Sequence, residues 1–96
     1  MGYNFGPKTG TRSGKTIETF GRKVARKGGV TSTGLSRLLA TTQGGQPQEL
    51  RGRDAEQAAR SLREVAPRLR GADRDLAIAL AEDAEAASRR GRWTIR

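Results

Sequence analysis

Residues 54–90 read DAEQAARSLREVAPRLRGADRDLAIALAEDAEAASRR, and the spacing of their apolar positions decides the fold. Ala55, Ala58, Ala59, Leu62, Val65, Ala66 and Leu69 recur along one stripe of a 3.6-residue period. Asp54 followed by Gln57 has the pattern of a capping box, with Leu50 upstream as a hydrophobic staple. Pro67 removes an interior hydrogen bond, so the last turn of this helix should kink. Gly71 then closes it and Asp73 is placed to cap a successor, which Leu76, Ala79, Leu80, Ala84 and Ala87 carry to Arg90. Helices joined by so short a connection pack antiparallel. The pattern therefore predicts an αα-hairpin with a narrow seam through Ala58, Ala59, Leu62, Leu76, Ala79 and Leu80. Asp73 and Asp75 at the start of the second helix, and Arg89 and Arg90 at its end, match its macrodipole. Trp93, just past Gly91, is expected to fold back onto the hairpin.

Working back towards the N-terminus, residues 43–53 contain the run Gln43-Gly44-Gly45-Gln46-Pro47-Gln48 and read as a linker. Leu35, Leu38 and Leu39 form the apolar side of a helix capped by Thr31 or Ser32 and ending near Thr41. Gly28-Gly29 separates it from an earlier helix, which starts at Ser13 or Thr16, ends at Lys27 and buries Ile17, Phe20 and Val24. On the other side of that helix Arg22 with Arg26, and Lys23 with Lys27, form like-charge rows at i,i+4. Such rows cost a few tenths of a kcal/mol per pair unless something anionic lies across them. Residues 1–14 hold four glycines and one proline, and predict a flexible basic arm whose Lys8 and Arg12 follow a phosphate backbone. The expected architecture is all-α: a small four-helix domain over 15–96, with a helix-turn-helix-like corner at 15–42, the linker at 43–53 and the hairpin at 54–96.

Ninety-six residues with no His and no Cys exclude zinc fingers, haem attachment, thiol chemistry, histidine general bases and disulfide frameworks. No enzyme activity, cofactor, metal or small-molecule substrate is expected. Leu, Ile, Val and Phe together number sixteen, a fraction typical of disordered chains, but thirteen alanines allow closely packed helices instead. No run approaches the eighteen apolar residues of a membrane span, and no secretory leader is visible, which predicts a cytoplasmic protein without a membrane partner. Nineteen Lys and Arg against ten Asp and Glu give a net charge of +9, the electrostatic footprint of a nucleic-acid binder. Residues 1–50 carry eight basic and two acidic side chains, residues 51–96 eleven and eight, so the excess is concentrated in the first half.

The stretch Val24-Ala25-Arg26-Lys27-Gly28-Gly29-Val30-Thr31-Ser32-Thr33-Gly34-Leu35-Ser36-Arg37-Leu38-Leu39 fits a helix-turn-helix corner without a gap. It supplies a small residue where the second helix crosses (Ala25), a glycine in the turn (Gly29) and clamping apolar residues (Val24, Val30, Leu35, Leu38). Here the sequence resembles the DNA-binding headpiece of the lactose-repressor family, through Val24, Ala25, Gly29, Val30, Ser36, Arg37 and Leu39. That resemblance implies a recognition helix from Ser32 in the major groove. Ser32 and Thr33 would face base edges, Arg37 a guanine or a phosphate, and Thr31 and Ser36 would donate to phosphates. Gly28 and Gly34 depart from the family pattern, the latter inside the recognition helix. The overall order of elements also resembles that of small proteins common in actinobacteria.

Two weaker patterns carry less. Gly10 to Thr16 has the residue types of a phosphate-binding loop, but one residue too few and no strand before it. Glu82, Asp83 and Glu85 are acidic, yet helical spacing turns Glu82 and Asp83 to different sides. The sequence thus predicts a small protein that binds double-stranded DNA, of the transcriptional-regulator or plasmid- and phage-accessory class. Its DNA-contacting residues are expected to be Lys8, Arg12, Arg22, Lys23, Arg26, Lys27, Thr31, Ser32, Thr33, Ser36 and Arg37, with residues 54–93 available for a homodimer or a protein partner. The alternatives are a protein-interaction module or adaptor, and an RNA- or ribosome-associated factor.

Overall fold

Among the described residues, four α-helices and two antiparallel two-stranded ribbons make up the fold, which corrects the all-α expectation to a mixed α/β one. The computed structural model describes residues 2–28, 32–43 and 48–96. In chain order the elements are β1 (Gly2–Asn4), β2 (Thr11–Ser13), α1 (Gly14–Arg26), α2 (Thr33–Ala40), β3 (Gln48–Arg51), α3 (Gly52–Val65), a 3-10 turn (Ala66–Arg68), α4 (Gly71–Arg90) and β4 (Arg92–Ile95).

Each helix forms where the periodicity places it, but two of the expected caps are not used. Ser13 caps α1, its Oγ accepting from the Thr16 amide at 3.1 Å, and Ser32 caps α2, accepting from the Leu35 amide at 3.2 Å. Helix α3 starts at Gly52, so Asp54 lies inside its first turn and no capping box forms. Helix α4 starts behind Arg70 rather than at Asp73. Pro67 sits in the 3-10 turn, the local response to its missing amide hydrogen. Gly91, with φ at +89°, ends α4 in the left-handed region that favours glycine.

Helices α3 and α4 form the predicted hairpin. Its seam runs through Ala58, Ala59 and Leu62 against Leu76, Ala77, Leu80 and Ala81, all buried; Ala79, expected in the seam, is half-buried beside it. Helix α2 lies on α3, with Leu35 and Leu38 fully buried. Leu39 approaches Gly21 of α1, while Ala25, expected beneath the crossing helix, is exposed. Gly29, Val30 and Thr31 of the expected corner lie outside the described residues.

The strands correct two further expectations. The arm is an ordered hairpin: Tyr3 pairs with Arg12 across β1 and β2, and Phe5 is 1% exposed. The Phe5 ring meets Trp93 edge-on at 6.4 Å, and Trp93 Nε1 donates to the Phe5 carbonyl at 2.7 Å. Buried Asp83 on α4 accepts the amides of Lys8 and Thr9 at 3.1 and 2.7 Å, satisfying a turn that the glycines and proline make feasible. Within the expected linker, β3 pairs with β4, Leu50 opposite Trp93. Asn4 and Arg96 exchange backbone hydrogen bonds of 2.7 and 3.4 Å, joining the two ribbons. The burial of Phe5, Trp93 and Ile95 explains why short polar strands hold together here.

Candidate nucleic-acid interface

The spacing that buries Ile17, Phe20 and Val24 turns Lys23, Arg26 and Lys27 outward at the C-terminal end of α1. The α3–α4 connection comes up beside them. Arg68 Nη1 donates to the Lys27 carbonyl at 3.0 Å, supplying the partner that a helix C-terminus lacks. Lys23 Nζ pairs with Asp73 Oδ2, in the first turn of α4, at 3.0 Å. Between the end of α1 and the start of α4 lies a cleft of about 220 Å³, lined by Lys23, Arg26, Lys27, Arg68, Arg70 and Asp73, with Leu69 at its floor. Arg70 is the N-cap of α4 and its side chain makes no capping bond, so the first amides of that helix have no side-chain acceptor from their cap residue. Among the described residues, Arg26, Lys27 and Arg70 make no ion pair. One carboxylate thus faces five cations, a concave surface suited to an anion.

The other expected contact residues are dispersed. Arg22 pairs with Glu18 one turn back on α1. Lys8 is tied through its amide to Asp83, with its ammonium 4.0 Å from Glu82, and Arg12 Nε donates to the Thr9 carbonyl at 3.2 Å within its own hairpin. Thr31 lies outside the described residues. Ser32 Oγ is 2.8 Å from Ser61 Oγ, and the Gly34 amide donates to Gln57 Oε1 at 3.0 Å, so the start of α2 is engaged by α3. The Arg37 guanidinium lies 2.8 Å from the Asp54 carboxylate, which is only 8% exposed. Thr33 and Ser36 are exposed. The structure therefore gathers the α1 residues Lys23, Arg26 and Lys27, and does not gather the α2 set around an open helix end.

Sequence reading missed Arg68 and Arg70. They were legible as two arginines flanking Leu69 behind a helix-ending proline, but nothing local shows that this turn meets Lys27. Farther along the hairpin, Arg63 of α3 pairs with Glu85 of α4 at 2.7 Å. The hydrogen bond from Arg63 holds the Glu85 carboxyl below the usual carboxylate range, and the bond to Glu85 raises Arg63 in turn. Among the described residues no acidic cluster is arranged to hold a metal ion, and no helix is long and apolar enough to cross a membrane. Asp83, one of the three acidic residues on α4, instead anchors the N-terminal turn.

No curated protein and no solved structure matches the chain. Residues 6–96 match a family described as a domain of unknown function, DUF7739, a span that takes in the second strand of the N-terminal hairpin, all four helices and the β3–β4 ribbon. The chain belongs to that family, DUF7739.

Proposed function

We propose that the chain is a non-enzymatic binder of double-stranded DNA, which it holds by the phosphate backbone in the cleft between α1 and α4. The observation that carries this reading is the convergence of Lys23, Arg26, Lys27, Arg68 and Arg70 around one cavity of about 220 Å³. Two segments distant in sequence, the end of α1 and the α3–α4 connection, supply these cations, and a helix N-terminus adds its partial positive charge. An anion there also relieves the like-charge rows of α1, in which Arg22 has Glu18 and Lys23 has Asp73 while Arg26 and Lys27 make no ion pair among the described residues. Ser32 and Arg37 have partners inside the fold, so the proposed contact is with phosphates and tolerates sequence. The same proposal takes the cytoplasm as the place of action.

Five cations at phosphates give an expected salt slope of about −4 to −5 in log K against log[salt]. Anisotropy titrations of a labelled 12-base-pair duplex at several salt concentrations measure it. Replacing Lys27 and Arg70 together with Gln should weaken binding about tenfold and flatten the slope by about 2. An affinity that ignores salt, or a double variant indistinguishable from the parent chain, overturns the reading.

A further inference from the structure

The two ends of the α3–α4 hairpin are both basic. At the end opposite the cleft, the Gly52 amide donates to the Gly91 carbonyl at 2.9 Å, and a Cβ on Gly52 would stand 3.1 Å from the Gly91 Cα. Arg51, Arg53, Arg89, Arg90 and Arg92 all lie within two residues of that contact, and all five are exposed. Arg51 and Arg92 are directly opposed across the β3–β4 ribbon, an arrangement that destabilises a strand pair. Arg51 is the N-cap of α3 and Arg53 lies in its first turn, where the helix dipole disfavours cations. Arg89 and Arg90 suit the end of α4, so the dipole accounts for two of the five and opposes two others. Among the described residues, Arg92 is the one of the five in an ion pair, with Glu49 at 3.9 Å, and the charge of Arg89 is felt by Glu85 one turn back on α4.

Between the two ends the surface is neutral or acidic. Between Arg74 and Arg89, α4 carries Asp75, Glu82, Asp83 and Glu85 and no basic residue, and of these Asp83 is buried beneath the N-terminal turn. On α3, Arg60 is paired with Glu56 and Arg63 with Glu85, while Glu64 adds a further negative charge. Helix α4 has 20 residues, and the molecule is 28 Å along its longest axis, so the basic ends are separated by nearly the full molecule. One duplex laid from end to end would set its phosphates against this acidic belt. Two duplexes, one at each end, avoid it.

We propose that the arginine cluster around the Gly52–Gly91 contact is a second site for the backbone of double-stranded DNA, so that one chain bridges two duplexes. This rests on the reading of the α1–α4 cleft as the first site. The second site has its arginines spread over a ribbon and two helix ends, and it binds the more weakly of the two.

The test pairs two measurements on the full chain. A biotinylated duplex on beads captures a second, fluorescent duplex only when the protein bridges them, and anisotropy reports binding to an isolated duplex. The parent chain should capture the second duplex as a monomer by sedimentation. Arg53→Gln with Arg90→Gln should lower capture at least tenfold and leave the isolated-duplex affinity within about threefold, and Arg53→Lys with Arg90→Lys should retain capture. Circular dichroism of each variant keeps loss of fold apart from loss of contact, and these exposed positions are chosen to leave the core intact. If the parent chain does not bind an isolated duplex, the first reading fails and takes this one with it. If it binds but captures nothing, if the Gln variant captures as well as the parent, or if capture follows a DNA-independent dimer, only the bridging proposal is overturned.

Discussion

Gly34 shows how one residue can carry different meanings in sequence and in structure. In the sequence it is a helix-weakening departure from the repressor-like pattern; in the fold it is where α2 rests on α3. A Cβ there would fall far inside contact distance of the Asp54 carbonyl oxygen and 2.7 Å from Gln57 Cβ, so backbone would have to shift. Gly34→Ala should therefore destabilise the chain by about 1–3 kcal/mol, despite the better helix propensity of alanine. A urea titration showing equal or greater stability would contradict that packing. Arg37 is a second such residue. Its partner Asp54 is 8% exposed, and Arg37→Ala leaves that carboxylate buried without its cation, at an expected cost of about 1–3 kcal/mol. If Arg37→Ala instead left the melting temperature unchanged and weakened binding to one preferred duplex, base readout by α2 would replace phosphate contact. The partnership with Asp54 was not legible because helical spacing shows which residues share a face, and not what faces them.

At the scale of elements, the helices were legible and the strands were not, for a physical reason. Helix α1 repeats an apolar position over about two turns and α3 over about three, and their hydrogen bonds close locally, so a window of sequence contains the whole signal. The strands have three or four residues each, too few for alternation to register, and the partners of β3 and Asn4 lie near the other end of the chain. The Gly and Pro residues read as marks of a flexible arm are the turn chemistry of a β-hairpin. What fixes that hairpin is Phe5, together with the Asp83 carboxylate beneath its turn. Deleting residues 1–13 removes a buried aromatic whose truncation alone is expected to cost about 3–5 kcal/mol, and leaves Asp83 without its amide donors. The deletion should unfold the chain at ambient temperature or lower its melting temperature by more than about 12 °C. A melting temperature within about 5 °C of the parent would show that the hairpin is dispensable.

For the whole molecule, composition gives the size of the charge excess but not where it lies. The sequence shows +9; the fold sorts that charge into two basic ends and a compensated belt, because α3 and α4 run antiparallel and pair Arg63 with Glu85. The sequence holds only sixteen Leu, Ile, Val and Phe residues, yet the radius of gyration is 11.6 Å, against about 12.5 Å expected for a domain of this length. Small alanines bring the helices together and the terminal ribbons cover what remains. A chain with so limited a core should respond strongly to a ligand that binds only the folded state. Duplex DNA at one hundred times its dissociation constant should add about 2.7 kcal/mol of stability, which for this size raises the melting temperature by roughly 10–20 °C. Trp93, the single tryptophan and 1% exposed, reports the transition by its fluorescence. The upward shift should shrink steeply as salt is raised at fixed duplex concentration, because affinity then falls with each released counterion. It should also be smaller for the Lys27 and Arg70 double variant, which has lost two of the cleft's cations but no core contact. A shift that persists undiminished in high salt would mean that the stabilising contact is not with phosphates, and would remove the electrostatic basis of the proposed DNA partner.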